Sequence, residues 1–168
     1  MKKKLVLLVI PVLLLLLACT MSNTPTSKVE ELFTKYQKLD NDIKNGIESV
    51  LDEQNLNESR KNRYRKILEE QYKNLTYQIK QEEIDGNNAI ITVEIEVKDL
   101  KKTISDLVYD SNIYPTKDEY DEEKLNRLEG AKDKVKYTLE LELTKDKNDV
   151  WNLKALSNEE IKKIQGMY

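Results

Sequence analysis

One cysteine and no histidine stand in a chain of 168 residues, so few of its side chains could do chemistry at neutral pH. Without imidazole there is no histidine general base, no histidine-ligated metal and no ordinary charge switch between about pH 5 and 8. What remains is the thiol of Cys19, a surplus of carboxylates and nine tyrosines. A lone cysteine is most simply a small buried hydrophobe. Cys19, however, is followed by Thr20, Met21, Ser22 and Asn23, where no core can form, and preceded by Leu16, Leu17 and Ala18. It has no partner for an intrachain disulfide.

The carboxylates offer less. Asp99 and Asp106 flank an apolar stretch, and a carboxyl raised by such a wall could act as a general base; a solvated or helix-capping role is the simpler reading. Asp110-Ser111-Asn112 and the run Asp118 to Glu123 crowd oxygen atoms that a hard cation would accept. The glycine that a calcium loop needs at its sixth position is replaced by Pro115. Asp40-Asn41-Asp42 reads as a helix boundary. The residues therefore indicate no catalytic group, no metal and no cofactor.

The setting of Cys19 is more specific. Lys2, Lys3 and Lys4 precede an apolar run from Leu5 to Leu17, which ends at Ala18: a positive region, a short hydrophobic region and a small residue, as in an export signal. The run is too short to span about 30 Å of hydrocarbon and contains Pro11. Leu16-Leu17-Ala18-Cys19 resembles the bacterial lipobox, which implies cleavage between Ala18 and Cys19 and lipid on the cysteine. Residues 1–18 are thus expected to be a signal peptide, 19–26 a lipidated cysteine with a short polar tether, and 27–168 one domain. Without the three signal lysines the balance is 25 basic against 31 acidic side chains, a charge of −6 that disfavours nucleic acid as a partner.

These residues need elements to hold them. Thr26 or Ser27 can cap a helix with Glu30 and Glu31 in its first turn. Val29, Leu32, Phe33, Tyr36, Leu39 and Ile43 recur at helical spacing, Ile47, Val50 and Leu51 suggest a further turn or two, and Tyr64, Ile67, Leu68 and Tyr72 form another stripe. The charged run Ser59 to Lys66 reads as a solvated helix side. From Leu75 the period becomes two: Leu75, Tyr77 and Ile79, a turn at Asp85-Gly86-Asn87, then Ala89, Ile91, Val93, Ile95 and Val97. A short helix after Leu100, an irregular stretch from Tyr109 to Tyr120 and a charged helix around Glu122 to Gly130 come next. Alternation resumes with Val135, Tyr137, Leu139, Leu141 and Leu143, and after a turn with Trp151, Leu153 and Ala155. Ser157 with Glu160 forms a capping box for a last helix. The order predicts an α+β fold, with N-terminal helices on one face of a four-stranded antiparallel sheet.

The blocks Tyr72 to Ile79, Ile84 to Asn87 and Ile91 to Val97, with the ending from Tyr137 through Trp151 to Tyr168, resemble lipoproteins of Gram-positive bacteria whose domain is NTF2-like. The resemblance implies a cone-shaped fold and an extracytoplasmic address, and it carries no activity. Such a cone can hold a small apolar ligand on its concave sheet, so Tyr77, Tyr137 and Trp151 become pocket candidates; strand aromatics also simply fill cores. Three readings follow: a membrane-tethered binding or interaction module, whose partners are membrane lipid through Cys19 and a small apolar ligand or an envelope protein; a small enzyme using carboxylate and tyrosine chemistry in the cone; and a structural envelope protein.

Overall fold

A computed structural model describes residues 23–168. Ala18, Cys19 and the expected signal segment lie outside the described residues. Along the described chain come α1 (Pro25–Lys38), α2 (Asn41–Asp52), α3 (Glu58–Lys73), β1 (Thr76–Asp85), β2 (Asn88–Lys98), α4 (Leu100–Thr103), α5 (Lys117–Glu129), β3 (Lys134–Lys145), β4 (Trp151–Leu153) and α6 (Asn158–Gln165). The fold is α+β, with six helices and a four-stranded antiparallel sheet in the order β1-β2-β3-β4.

The first helix begins earlier than the sequence suggests. Thr24, not Thr26 or Ser27, is its cap: the Thr24 hydroxyl accepts from the Ser27 amide and the Ser27 hydroxyl accepts from the Thr24 amide. Pro25 takes the first helical position, where its missing N–H costs nothing. Pro25 and Thr26, the last residues of the segment 19–26 expected as a tether, stand in this helix. Leu39, at a left-handed φ of 51°, ends α1, and Asp40 caps α2 by accepting from the Ile43 amide. The apolar stripe from Val29 to Ile43 is therefore divided between two helices, at the boundary that Asp40-Asn41-Asp42 marks in the sequence.

On α3 the residues Tyr64, Ile67, Leu68 and Tyr72 are buried as their spacing predicts, and Arg60 and Gln71 are buried beside them. Arg60 overturns the solvated reading of the run from Ser59 to Lys66: it is only 8% exposed. It lies four residues before Tyr64 on the same helical face, and α5 packs against that face. The α5 helix starts at Lys117 rather than near Glu122, because Thr116 and Glu119 form a reciprocal capping box.

β2 pairs with β3 from Asn88↔Thr144 to Lys98↔Lys134 with no shift, whereas β1 slips against β2 between Ile79 and Gln81, where Lys80 is the extra residue of a bulge. One side of the sheet presents Ile91, Val93, Ile95, Leu139, Leu141 and Leu143 to the helices, all buried; the other presents Glu94, Glu96, Lys134 and Lys136. The helix side is filled. Phe33, Tyr36 and Trp151 are buried against it, with Phe33 stacked on Tyr77 at 4.5 Å and Tyr36 edge-on to Tyr72 at 5.0 Å. Ala155, expected in the last strand, is exposed and outside it, because β4 stops at Leu153 and the chain turns toward the Ser157 cap.

Candidate functional site

The three aromatic pocket candidates do not converge. Tyr77 and Tyr137 both pair with Ile95 and so share one row across the sheet. Trp151 pairs with Lys145 at the far end of β3, eight positions along the strand from Tyr137, or about 27 Å. Each ring has a local task. Tyr77 covers Phe33, the Tyr137 hydroxyl donates to the Tyr168 carbonyl at 3.1 Å, and the Lys145 ammonium lies over the Trp151 ring at 4.9 Å.

The carboxylates are similarly committed. Asp99 caps α4 by accepting from the Lys102 amide, and Asp106 pairs with Arg127 at 2.8 Å. Asp110 accepts from the Asn112 amide within its own loop. Asp118 and Glu122 both bind Arg60, Glu122 and Glu129 bind Arg63, and Asp121 binds Lys117. The oxygen-rich run Asp118 to Glu123 thus faces arginine and lysine side chains. Among the described residues no group of three or more His, Cys, Asp or Glu is placed to hold a metal ion.

Electrostatics moves these groups away from acid–base work near neutrality. Hydrogen bonds from Arg60 lower Glu122, those from Arg63 lower Glu129, and that from Arg127 lowers Asp106. Burial pushes Tyr36, Tyr64, Tyr72, Tyr77 and Tyr137 upward, so their phenols hold their protons more firmly. A general base or a tyrosinate nucleophile needs the opposite shifts.

Concave surface lies elsewhere. A groove of about 530 Å³ runs along the outer edge of β3, floored by Thr138 to Glu142 and walled by Ala155, Leu156, Ser157, Glu159 and Lys163. It exists because β4 covers only Leu143 to Lys145 of a strand that begins at Lys134. The Glu142 carbonyl accepts from the Lys154 amide at 2.9 Å, which shows that the backbone of the even-numbered residues of β3 points outward. Lys163 donates to the Thr138 carbonyl at 3.3 Å. Between them, the amide and carbonyl of Glu140 meet no partner strand among the described residues. Glu142 pairs with Lys154 and Glu159 with Lys163, while the Glu140 side chain makes no ion pair among the described residues.

A second depression of about 260 Å³ lies between the α2–α3 loop and α5, lined by Leu56, Tyr64, Lys117, Tyr120, Asp121 and Lys124. The loop between α4 and α5 exposes Val108, Tyr109 and Ile113, with Tyr109 and Tyr114 both edge-on to Tyr120.

Sequence reasoning missed the groove and the buried Arg60. The groove was legible in length: a strand expected to start at Trp151 must end before a helix capped at Ser157, and so cannot flank the whole of β3. Arg60 was legible in phase, four residues before Tyr64 on the buried face. Compared with protein-family models, curated proteins and solved structures, the chain matches none.

Proposed function

We propose that this chain is an extracytoplasmic lipoprotein, cleaved between Ala18 and Cys19 and held to a membrane by lipid on Cys19, whose NTF2-like domain is a non-catalytic binding or interaction module of the cell envelope. The observation that carries the binding reading is the contrast between a filled helix side of the sheet and an open groove at its edge. The burial of Phe33, Tyr36 and Trp151 speaks against a substrate or small apolar ligand on that side, whereas the β3 edge offers a cleft and, among the described residues, unpaired backbone. Helices on one face of a four-stranded antiparallel sheet support the NTF2-like reading at the level of architecture.

The tether reading rests on Lys2 to Lys4, the apolar run Leu5 to Leu17, and Ala18-Cys19. The domain adds a direction. Asn23 is tied to the β3–β4 turn: its side-chain oxygen accepts from the Trp151 amide at 2.9 Å, and its side-chain nitrogen donates to the Asp149 carbonyl. Only Thr20, Met21 and Ser22 separate it from Cys19, a span of at most about 14 Å. A lipidated Cys19 therefore turns the β3–β4 end of the domain to the bilayer. Among the described residues no helix is long and apolar enough to cross a membrane.

Fractionation of cells expressing the chain and its Cys19→Ala variant tests the tether. The original sediments with membranes and the variant does not; a variant that still sediments with membranes refutes the lipid anchor.

A further inference from the structure

The open edge of β3 has the features of a strand-addition site, in which an extended peptide gains affinity from main-chain hydrogen bonds and selectivity from alternate side chains. The sheet has two edges, and they differ. On β1 the bulge at Lys80 interrupts the register and Glu82, Glu83 and Asp85 crowd its last turn, devices that discourage pairing. β3 is regular over its full pairing with β2.

The surroundings of the edge select the occupant. On the open face, Glu140 has no counter-charge among the described residues, while its neighbours Glu142 and Glu159 are already matched by lysines. A side chain arriving opposite Glu140 is stabilised if it is positive. On the other wall, Ala155 and the half-buried Leu156 face the groove, so the alternate side chains of an incoming strand meet apolar surface. A second copy of the chain fits less well. A two-fold axis through Glu140 or Leu141 sets glutamates of the two edges opposite one another, which is repulsive. From Thr138 to Glu142 the floor spans about 14 Å, room for four or five residues of extended chain.

We propose that the β3 edge between Thr138 and Glu142 binds an extended peptide segment that alternates apolar with basic residues, a basic side chain lying opposite Glu140. This assignment rests on the reading of the domain as a binding module and names the surface and the partner's chemistry.

The test uses the full-length chain in detergent micelles, labelled for amide NMR, and a blocked seven-residue peptide alternating valine with lysine. Amide shifts are expected at Thr138 to Glu142 and at Leu156 to Glu160. A peptide N-methylated at alternate amides, which cannot complete the ladder, is expected to lose them. Glu140→Lys is expected to weaken the lysine peptide by about fivefold and to reverse the preference toward a valine–glutamate peptide. Because Glu140 is exposed, the variant is expected to fold, and unchanged shifts elsewhere in its spectrum check this.

Equal binding of the N-methylated peptide, no response to charge reversal, or no shifts at millimolar peptide would overturn the site. So would concentration-dependent shifts of β3 without peptide, which would make a second copy the occupant. Shifts confined to Val108, Tyr109 and Ile113 would overturn the edge while leaving a binding module in place, and the fractionation of Cys19→Ala is read independently of all these outcomes.

Discussion

At the scale of single residues, two buried positions hold the C-terminal helix to the rest of the fold. Gln71 donates to the Lys98 and Gln165 carbonyls and accepts from the Lys98 amide. Replacing it by leucine leaves those backbone groups without partners and is expected to cost about 2–3 kcal/mol. Gly166 turns the chain at a φ of 69°, and a Cβ there would overlap the Lys98 carbonyl oxygen and the Gln71 amide. Gly166→Ala combines left-handed strain with that overlap and is expected to cost about 2–4 kcal/mol. Gly86 has a similar φ of 58° and open space around it, so Gly86→Ala should cost only about 1 kcal/mol. Urea unfolding midpoints of the three variants check the order; equal losses for Gly86→Ala and Gly166→Ala would show that strain alone, not the contact with Lys98, decides the effect.

At the scale of elements, α3 and α5 are joined by Arg60 and Arg63 facing Asp118, Glu122 and Glu129. Glu122 and Glu129 ionise below the ordinary carboxylate range, so their contribution is complete above the unfolded value of about 4.3 and is lost as pH falls through the lower folded value. Stability should therefore drop with acid below about pH 4, and less steeply in Arg60→Met than in the original chain. Both glutamates are more than one-third exposed, so added salt should shrink the difference. Thermal melts across pH at two salt concentrations measure this, and identical acid profiles would remove the ion pairs from the account. The elements themselves were largely readable. Alternation from Leu75 to Val97 and from Val135 to Leu143 marked the strands because one sheet side is dry. What escaped was whatever depends on a neighbour: Pro25 and Ser27 completing the Thr24 cap, and Arg60 buried by carboxylates some sixty positions away. Of the candidate site, the aromatic strand positions were legible but their convergence was not, since period places a side chain on a face without fixing how far along the strand it meets another.

At the scale of the molecule, a filled interior, an open sheet edge and an Asn23 tied to the β3–β4 turn are the features on which the proposed membrane-held binding module rests. If the helix side of the sheet is core, Phe33→Ala should cost about 3–5 kcal/mol, whereas a lining residue of a ligand cone would be tolerated; calorimetric unfolding of that variant separates the two. The proposed tether is central, because it would set where the domain works and which end faces outward. Two acyl chains, at about 0.8 kcal/mol per buried methylene, make an anchor that a single chain does not. The most direct measurement is the mass of the N-terminal peptide from the chain extracted from membranes of a Gram-positive host. The peptide is expected to begin at Cys19 and to carry a diacylglyceryl group on its sulfur; one that begins at Met1, or at Cys19 with a free thiol, would refute the lipid anchor.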